Sequence, residues 1–339
     1  FTIEDEDGKR VDFVVWIEMC QNEGMSKKGK KTTYKVRNWS AYNQGLIERG
    51  SLTIWITPEV LAAWKDKRPA QRGGQFEYSE LAIEALLTLK HLLRLPYRAT
   101  QGFAVSLFSL MELTLEVPDY STICRRAKCL KVDLPKSSQA ARHIVIDSTG
   151  LKVYGEGEWQ VRKHGHSKRR TWRKLHLAIN VETQEIVAER LTSNSVDDAT
   201  AGVEMLQCLA QPPEFVAADG AYDKRKFYAE CQTQQIDKIV VPPQRNAKIW
   251  QHGNSSNPPH PRDENLRYIR RHGRKKWKSD SNYHQRSLAE TAMFRFKTIF
   301  GSQLNARSDE QQQTEVAIKC AILNRFTALG LPDTLAISE

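Results

Sequence analysis

No run of eighteen or more apolar residues occurs in this chain of 339, so nothing in it is built to cross a bilayer as a helix, and no membrane partner is expected. Cysteine is sparse and scattered. Cys20, Cys124, Cys129, Cys208, Cys231 and Cys320 form no C-x-x-C pair, which argues against a disulfide framework or a zinc module and fits a reducing cytoplasm. Nothing repeats at a fixed period, and low-complexity sequence is limited to short basic runs. The first residues also lack a signal-peptide layout, whereas Met25 opens the basic run Ser26 to Lys31. Residues 1–24 are therefore expected to be upstream or fused sequence, and residues 1–34 a disordered or non-native leader with a basic tail. Positive charge, by contrast, is in surplus. Lys and Arg number 51 against 40 Asp and Glu, a net +11 that favours polyanionic partners, nucleic acid being the commonest. The length allows a sizeable core and two domains.

Residues 35–136 read as helical. Leu81, Ala82, Ala85, Leu86, Leu89, Leu92 and Leu93 recur at helical spacing, with Ser79 placed to cap and Pro96 to stop. A second helix is expected over Arg98 to Met111. A third, Thr122 to Leu130, would be capped by Ser121 and would expose Arg125, Arg126 and Lys128. Short helices of which the last is basic suggest a helix-turn-helix for DNA; an ordinary helical bundle is the plain alternative.

Residues 137–335 change to strands. His143 to Ile146, Lys174 to Ile179, Glu185 to Ala188, Phe215 to Ala218 and Ile239 to Val241 are short apolar runs. Helices Asp198 to Leu209 and Lys224 to Gln234 precede the fourth and fifth. Three antiparallel strands, then αβαβ and a final helix, describe an α/β fold of RNase H-like type, a mixed five-stranded sheet flanked by helices. Residues 244–281 are too polar for a core of their own and read as a small insertion, a flexible basic loop that orders on DNA.

Two acids follow strands directly: Asp147 before Ser148-Thr149-Gly150, and Asp219 before Gly220-Ala221-Tyr222. Acidic residues at strand ends are common turn formers, and neither is decisive alone. Glu290 adds weight. If Tyr283 to Ile299 is one helix at about 100° per residue, Tyr283, Arg286, Glu290 and Lys297 form a stripe about 60° wide, nearly opposite Leu288, Ala292, Phe296 and Ile299. An i,i+4 ion pair would explain Arg286 and Glu290 but not the whole stripe. Three clustered carboxylates repel unless divalent metal neutralises them, and oxygen-only ligation selects Mg²⁺, with Mn²⁺ as substitute. Two such ions suit phosphoryl transfer to water or a 3′-hydroxyl, with Arg286 and Lys297 holding phosphate oxygens and Tyr283 beside them on the DNA-binding side.

The spacing Tyr283-x2-Arg286-x3-Glu290-x6-Lys297 resembles the tyrosine, arginine, glutamate, lysine signature of bacterial insertion-sequence DDE transposases. Ile146 to Lys152, Gly155 to Trp159, Trp172 to His176 and Ala218 to Asp223 look like further blocks of that family. Asn38-Trp39-x2-Tyr42-Asn43 and Arg49 to Trp55 resemble its insertion-sequence family five group. The resemblance spans roughly Lys35 to Pro332. It implies that Asp147, Asp219 and Glu290 are the catalytic carboxylates and hold two metal ions. It also implies a bacterial, nucleoid-associated enzyme that binds terminal inverted repeats as a homodimer or higher oligomer, cleaves the element ends and joins them to target DNA.

Other candidates are weaker. Arg162, Lys163, Arg169, Arg170, Trp172 and Arg173 belong to an expected basic hairpin between the first two strands, where an aromatic among cations can follow DNA; a solvated tip is the alternative. His164 and His166 lack further ligands at zinc spacing. His176 reads as structural; Asp197 and Asp198, after the third strand, could help bind metal, but Asp198 reads as a plain helix N-cap. A nuclease that cuts without joining, and a regulator that keeps DNA binding without catalysis, remain the competing functions.

Overall fold

The computed structural model describes residues 2–4, 10–12, 33–69, 75–134, 141–153, 172–251 and 258–337. They form two compact units, Phe1–Trp55 with Arg325–Glu339, and Ile56–Asn324. In the first, β1 (Thr2–Glu4) pairs antiparallel with β2 (Arg10–Asp12), and β3 (Thr33–Val36) pairs antiparallel with a C-terminal strand, Thr334–Ile337. The expected disordered leader thus carries paired strands where it is described, because ladder formation uses main-chain groups that every residue except proline supplies. α1 (Trp39–Glu48) follows. The Asn38 side chain donates to Leu331 O at 2.9 Å and accepts from Asp333 N at 2.8 Å, tying the two segments of this unit together.

The second unit begins with α2 (Pro58–Ala62), α3 (Glu80–Leu92), α4 (Tyr97–Leu110) and α5 (Tyr120–Arg126). The Ser79 hydroxyl caps α3 by accepting from Ala82 N, as its position predicts. α5 differs from expectation. It starts two residues early, capped by Asp119 rather than Ser121, because the Asp119 carboxylate accepts from Ser121 N at 2.8 Å. Residues 111–119 separate α4 from α5, longer than the three or four residues of a helix-turn-helix turn.

A mixed sheet follows, built from β4 (His143–Val153), β5 (Trp172–Asn180), β6 (Ile186–Ser193), β7 (Phe215–Ala218) and β8 (Lys238–Val240). Its order is β6-β5-β4-β7-β8, antiparallel among the first three and parallel from β4 to β8. α6 (Asp198–Cys208) precedes β7 and α7 (Arg225–Thr233) precedes β8. This is the expected RNase H-like order. Ile144, Ile146, Val216 and Ala218 from the strands pack with Met205, Leu206, Phe227 and Tyr228 from α6 and α7 in one dry core.

The insertion is folded, not a flexible loop, over its described part. α8 (Pro261–His272) and α9 (Arg274–Asp280) join at Gly273, whose φ of 84° suits glycine. Polar residues supply what apolar ones do not: the buried Arg262 guanidinium pairs with Asp223 at 2.6 Å, and buried Asp263 accepts from Trp250 N and Gln251 N. α10 (Ser287–Phe300), the two-residue β9 (Gln303–Leu304), which runs parallel to the end of β4 and gives the sheet a sixth strand where five were expected, and α11 (Asp309–Ala328) follow. The compact units do not divide at residue 136. α5 and the start of α11 belong to one unit, the Gln311 amide donating to Cys124 O at 2.8 Å. Among the described residues no helix is long and apolar enough to cross a membrane.

Candidate active site

Parallel pairing sets two acids side by side. β4 and β7 run in register as far as Ile146 opposite Ala218, so Asp147 and Asp219 come next on neighbouring strands at the same level. There the chains part. Asp219 turns into the short 3-10 segment Gly220–Tyr222, its carboxylate accepting from Ala221 N at 2.9 Å. β4 instead continues beside β5 to Val153, so Asp147 lies within the strand rather than after it. Asp-Ser-Thr-Gly has turn composition, but hydrogen bonding to β5 on one side overrides that preference. A crevice beyond the carboxyl end of a parallel strand is where open α/β sheets place ligands.

Strand alternation sorts the neighbours. The Ser148 hydroxyl donates to Asp198 at 3.0 Å on the α6 side, while Asp147 and Thr149 face α10. Tyr283–Arg286 is a 3-10 turn entered from Asn282 in the left-handed region, and the α-helix begins only at Ser287. At about 120° per residue, that turn rotates the rest of the helix by about 60° from a uniform α-helix. The buried residues of the helix are Ala289, Ala292, Met293, Arg295, Phe296 and Phe300, with the expected Leu288 and Ile299 only half-buried.

The expected stripe still converges. The Arg286 guanidinium donates to Asp147 Oδ2 at 2.7 Å and to Glu290 Oε1. The Lys297 ammonium donates to Thr149 Oγ1 at 2.6 Å and has no carboxylate partner among the described residues. The Tyr283 ring lies between Trp277, 5.6 Å away, and the Arg286 guanidinium at 5.8 Å.

Burial pushes the Asp147 carboxyl up to about 6; Arg286 and the Ser148 amide oppose the rise, while Asp219 and Glu290 add to it. Burial also raises Asp219. Among the described residues no three Asp, Glu, His or Cys side chains are drawn into a metal-ligating cluster. Asp147 and Glu290 share Arg286 as their cation instead. The donor set is all carboxylate, which suits a hard divalent ion, and the raised proton affinity of two buried acids is the demand such an ion meets. The residues fit a metal once Arg286 yields its place.

A family model described as a transposase DDE domain matches residues 138–325, and a second of the same description matches residues 47–156. The first spans more than half of the chain, across both aspartates and Glu290. The chain belongs to the DDE transposase family. Such domains use divalent metal ions, which accords with the carboxylate donor set. The transposase is also similar to a solved piggyBac transposase synaptic complex with hairpin DNA, at 12% identity over 83% of this chain and 75% of that chain, with a TM-score of 0.40.

The remaining expected DNA contacts of the transposase fare differently. Arg162, Lys163, Arg169 and Arg170, with His164 and His166, lie outside the described residues. Trp172 and Arg173 belong to β5, not to a loop. Trp172 packs 3.4 Å from where a Cβ on Gly150 would lie, with the Lys152 ammonium over its ring, and Arg173 is engaged by Asp309 and Gln312. Arg125 and Lys128 are exposed as expected. Arg126 is not: it is buried, donating to Tyr78 O at 2.7 Å and stacked over Phe76, because it falls on the α5 face that packs inward. His176 is structural. It is fully buried between Tyr222 and Thr192, and burial lowers its pKa to about 4. Asp198 is no cap; it is the first helical residue and takes the Lys174 ammonium at 2.7 Å, while Asp197 at the N-cap pairs with Lys226. The Ser148–Asp198–Lys174 network was missed from sequence, although Lys174, two residues before His176 on one strand face, was its available signal.

Proposed function

We propose that this transposase cuts DNA at the ends of its own mobile element and joins the freed 3′-hydroxyls to target DNA. The level placement of Asp147 and Asp219, with Glu290 brought to them by Arg286, is the observation that supports the reading most strongly. Asp147, Asp219 and Glu290 would hold two Mg²⁺ ions, replaceable by Mn²⁺, which supply Lewis acidity at the scissile phosphate and activate the attacking oxygen. Arg286 would exchange its carboxylates for phosphate oxygens, which a guanidinium binds in bidentate fashion. Lys297, a half-buried ammonium held by a neutral hydroxyl, would neutralise a further phosphate oxygen. Tyr283 would position Arg286.

The spacing of Tyr283, Arg286, Glu290 and Lys297 supports placement in the insertion-sequence family five group of bacteria, with the element's terminal inverted repeats as substrate. Exposed Arg125 and Lys128 would contribute DNA contacts from α5 and the turn after it. Two element ends require two such sites, so the protein would act as a homodimer or higher oligomer on DNA, in the cytoplasm at the nucleoid. Incubating the protein with terminal-repeat DNA, a target plasmid and Mg²⁺ tests this. Joined products are expected; cutting without joining would make the protein a nuclease alone.

A further inference from the structure

Residues 261–280 hold eight Lys and Arg against three Asp and Glu, a net +5 of the chain's +11. Arg267, Arg270 and Arg271, at i, i+3 and i+4, share one face of α8, and Lys275, Lys276 and Lys278 follow on α9; all six are exposed. The ion pairs of this segment belong to Arg262, with Asp223 and Asp263. Among the described residues none of the six exposed cations has a carboxylate partner. Arg267 and Arg270 instead donate to main-chain carbonyls of Gln251 at 3.4 Å and Ala247 at 3.2 Å, which orients them without neutralising them.

The underside of the pair is tied to the sheet. Buried Trp277 donates from Nε1 to Asn265 Oδ1 at 3.0 Å, and the Asn265 amide donates to Ile239 O of β8 at 3.0 Å. Two links lead to the catalytic acids: Arg262 grips Asp223, four positions beyond Asp219, and Trp277 packs at a tilt against Tyr283 beside Arg286. A phosphate bound on the outer face is thereby held in fixed relation to Asp147 and Asp219.

We infer that α8 and α9 form a preformed clamp for the phosphate backbone of duplex DNA next to the scissile bond. The inference rests on the transposase reading and deepens it by naming a binding surface. An exposed face on which Lys and Arg outnumber acidic side chains suits phosphates rather than base edges. Trp277 is buried, and the Tyr268 and His272 rings are engaged with each other at 4.6 Å, so the pair offers no free ring for unpaired bases.

The test is the salt dependence of DNA binding by the full chain without metal, using a short duplex with and without the element's terminal sequence. Replacing Arg267, Arg270, Arg271 and Lys275 together by Gln is expected to lower the slope of log K against log salt by about 3–4 on both duplexes. The single variant Arg271→Glu, on an exposed position, is expected to lower it as well, and circular dichroism checks that both variants keep the fold. An unchanged slope in folded variants overturns the clamp. Failure of the catalytic reading is distinguishable, since it appears as a wild-type chain that binds with the full slope and does not cut with Mg²⁺.

Discussion

Arg286 donates to Asp147 Oδ2 at 2.7 Å and to Glu290 with the same guanidinium, so one side chain neutralises two of the three acids assigned to metal. A divalent ion reaching these carboxylates competes with it. Arg286→Ala is therefore expected to bind Mn²⁺ about tenfold more tightly than the wild type in the absence of DNA, a difference of ~1.4 kcal/mol by calorimetry. The same variant is expected to cut DNA poorly, having lost the proposed phosphate ligand. Equal or weaker Mn²⁺ affinity would show that the guanidinium does not compete.

His176 ties stability to pH. Burial lowers its pKa from 6.5 to about 4, so the folded protein resists a proton that the unfolded chain accepts. The resulting stability is fully present above pH 6.5 and is lost as pH falls towards 4, with a total on the order of 3 kcal/mol. Urea melts across this range should show a shallower pH dependence for His176→Asn than for the wild type. Parallel curves would rule the residue out as the source.

The Arg262–Asp223 pair should be costly to break from one side. Both side chains are nearly inaccessible, and Arg262→Ala leaves a buried carboxylate uncompensated, at about 3–5 kcal/mol. Replacing both, Arg262→Met with Asp223→Leu, should recover most of that loss in urea denaturation. A double variant as unstable as the single one would mean that the other contacts of Arg262, with buried Asp263, Lys248 O and the Trp250 ring, carry the stability.

Gly202 in α6 has no room for a methyl group. A Cβ there would lie 2.9 Å from the rings of Phe227 and Tyr222. Overpacking of this kind costs about 1–3 kcal/mol, and since Tyr222 closes the turn that begins at Asp219, DNA cutting should fall along with Tm for Gly202→Ala. A normal Tm and normal cutting would show that the two rings move aside freely.

Much of this arrangement was legible in the sequence because it depends on local pattern. Apolar runs located the strands, α6 and α7 separated the parallel ones, and Tyr283, Arg286, Glu290 and Lys297 announced their common side by spacing. Long-range pairing was not legible. Ser148 to Lys152 reads as a turn until β5 lies beside it, and Arg126 reads as exposed until Tyr78 O and Phe76 are found over it. The insertion misled for the same reason: its core is a buried ion pair and carbonyl contacts, which hydrophobic periodicity cannot register. Arg286 was expected to wait for phosphate, and its grip on Asp147 became visible only once β4 carried Asp147 under the start of α10.

The proposed chemistry needs Asp147, Asp219 and Glu290 to act as one unit. The measurement that tests this is the cleavage rate on terminal-repeat DNA with Mg²⁺ for Asp147→Asn, Asp219→Asn and Glu290→Gln, alongside DNA binding without metal. Each variant is expected to lose at least about 10³-fold in rate, in keeping with the share of barrier lowering that metal-assisted charge stabilisation supplies, while binding DNA as the wild type does. Wild-type cutting by any one of the three would contradict it.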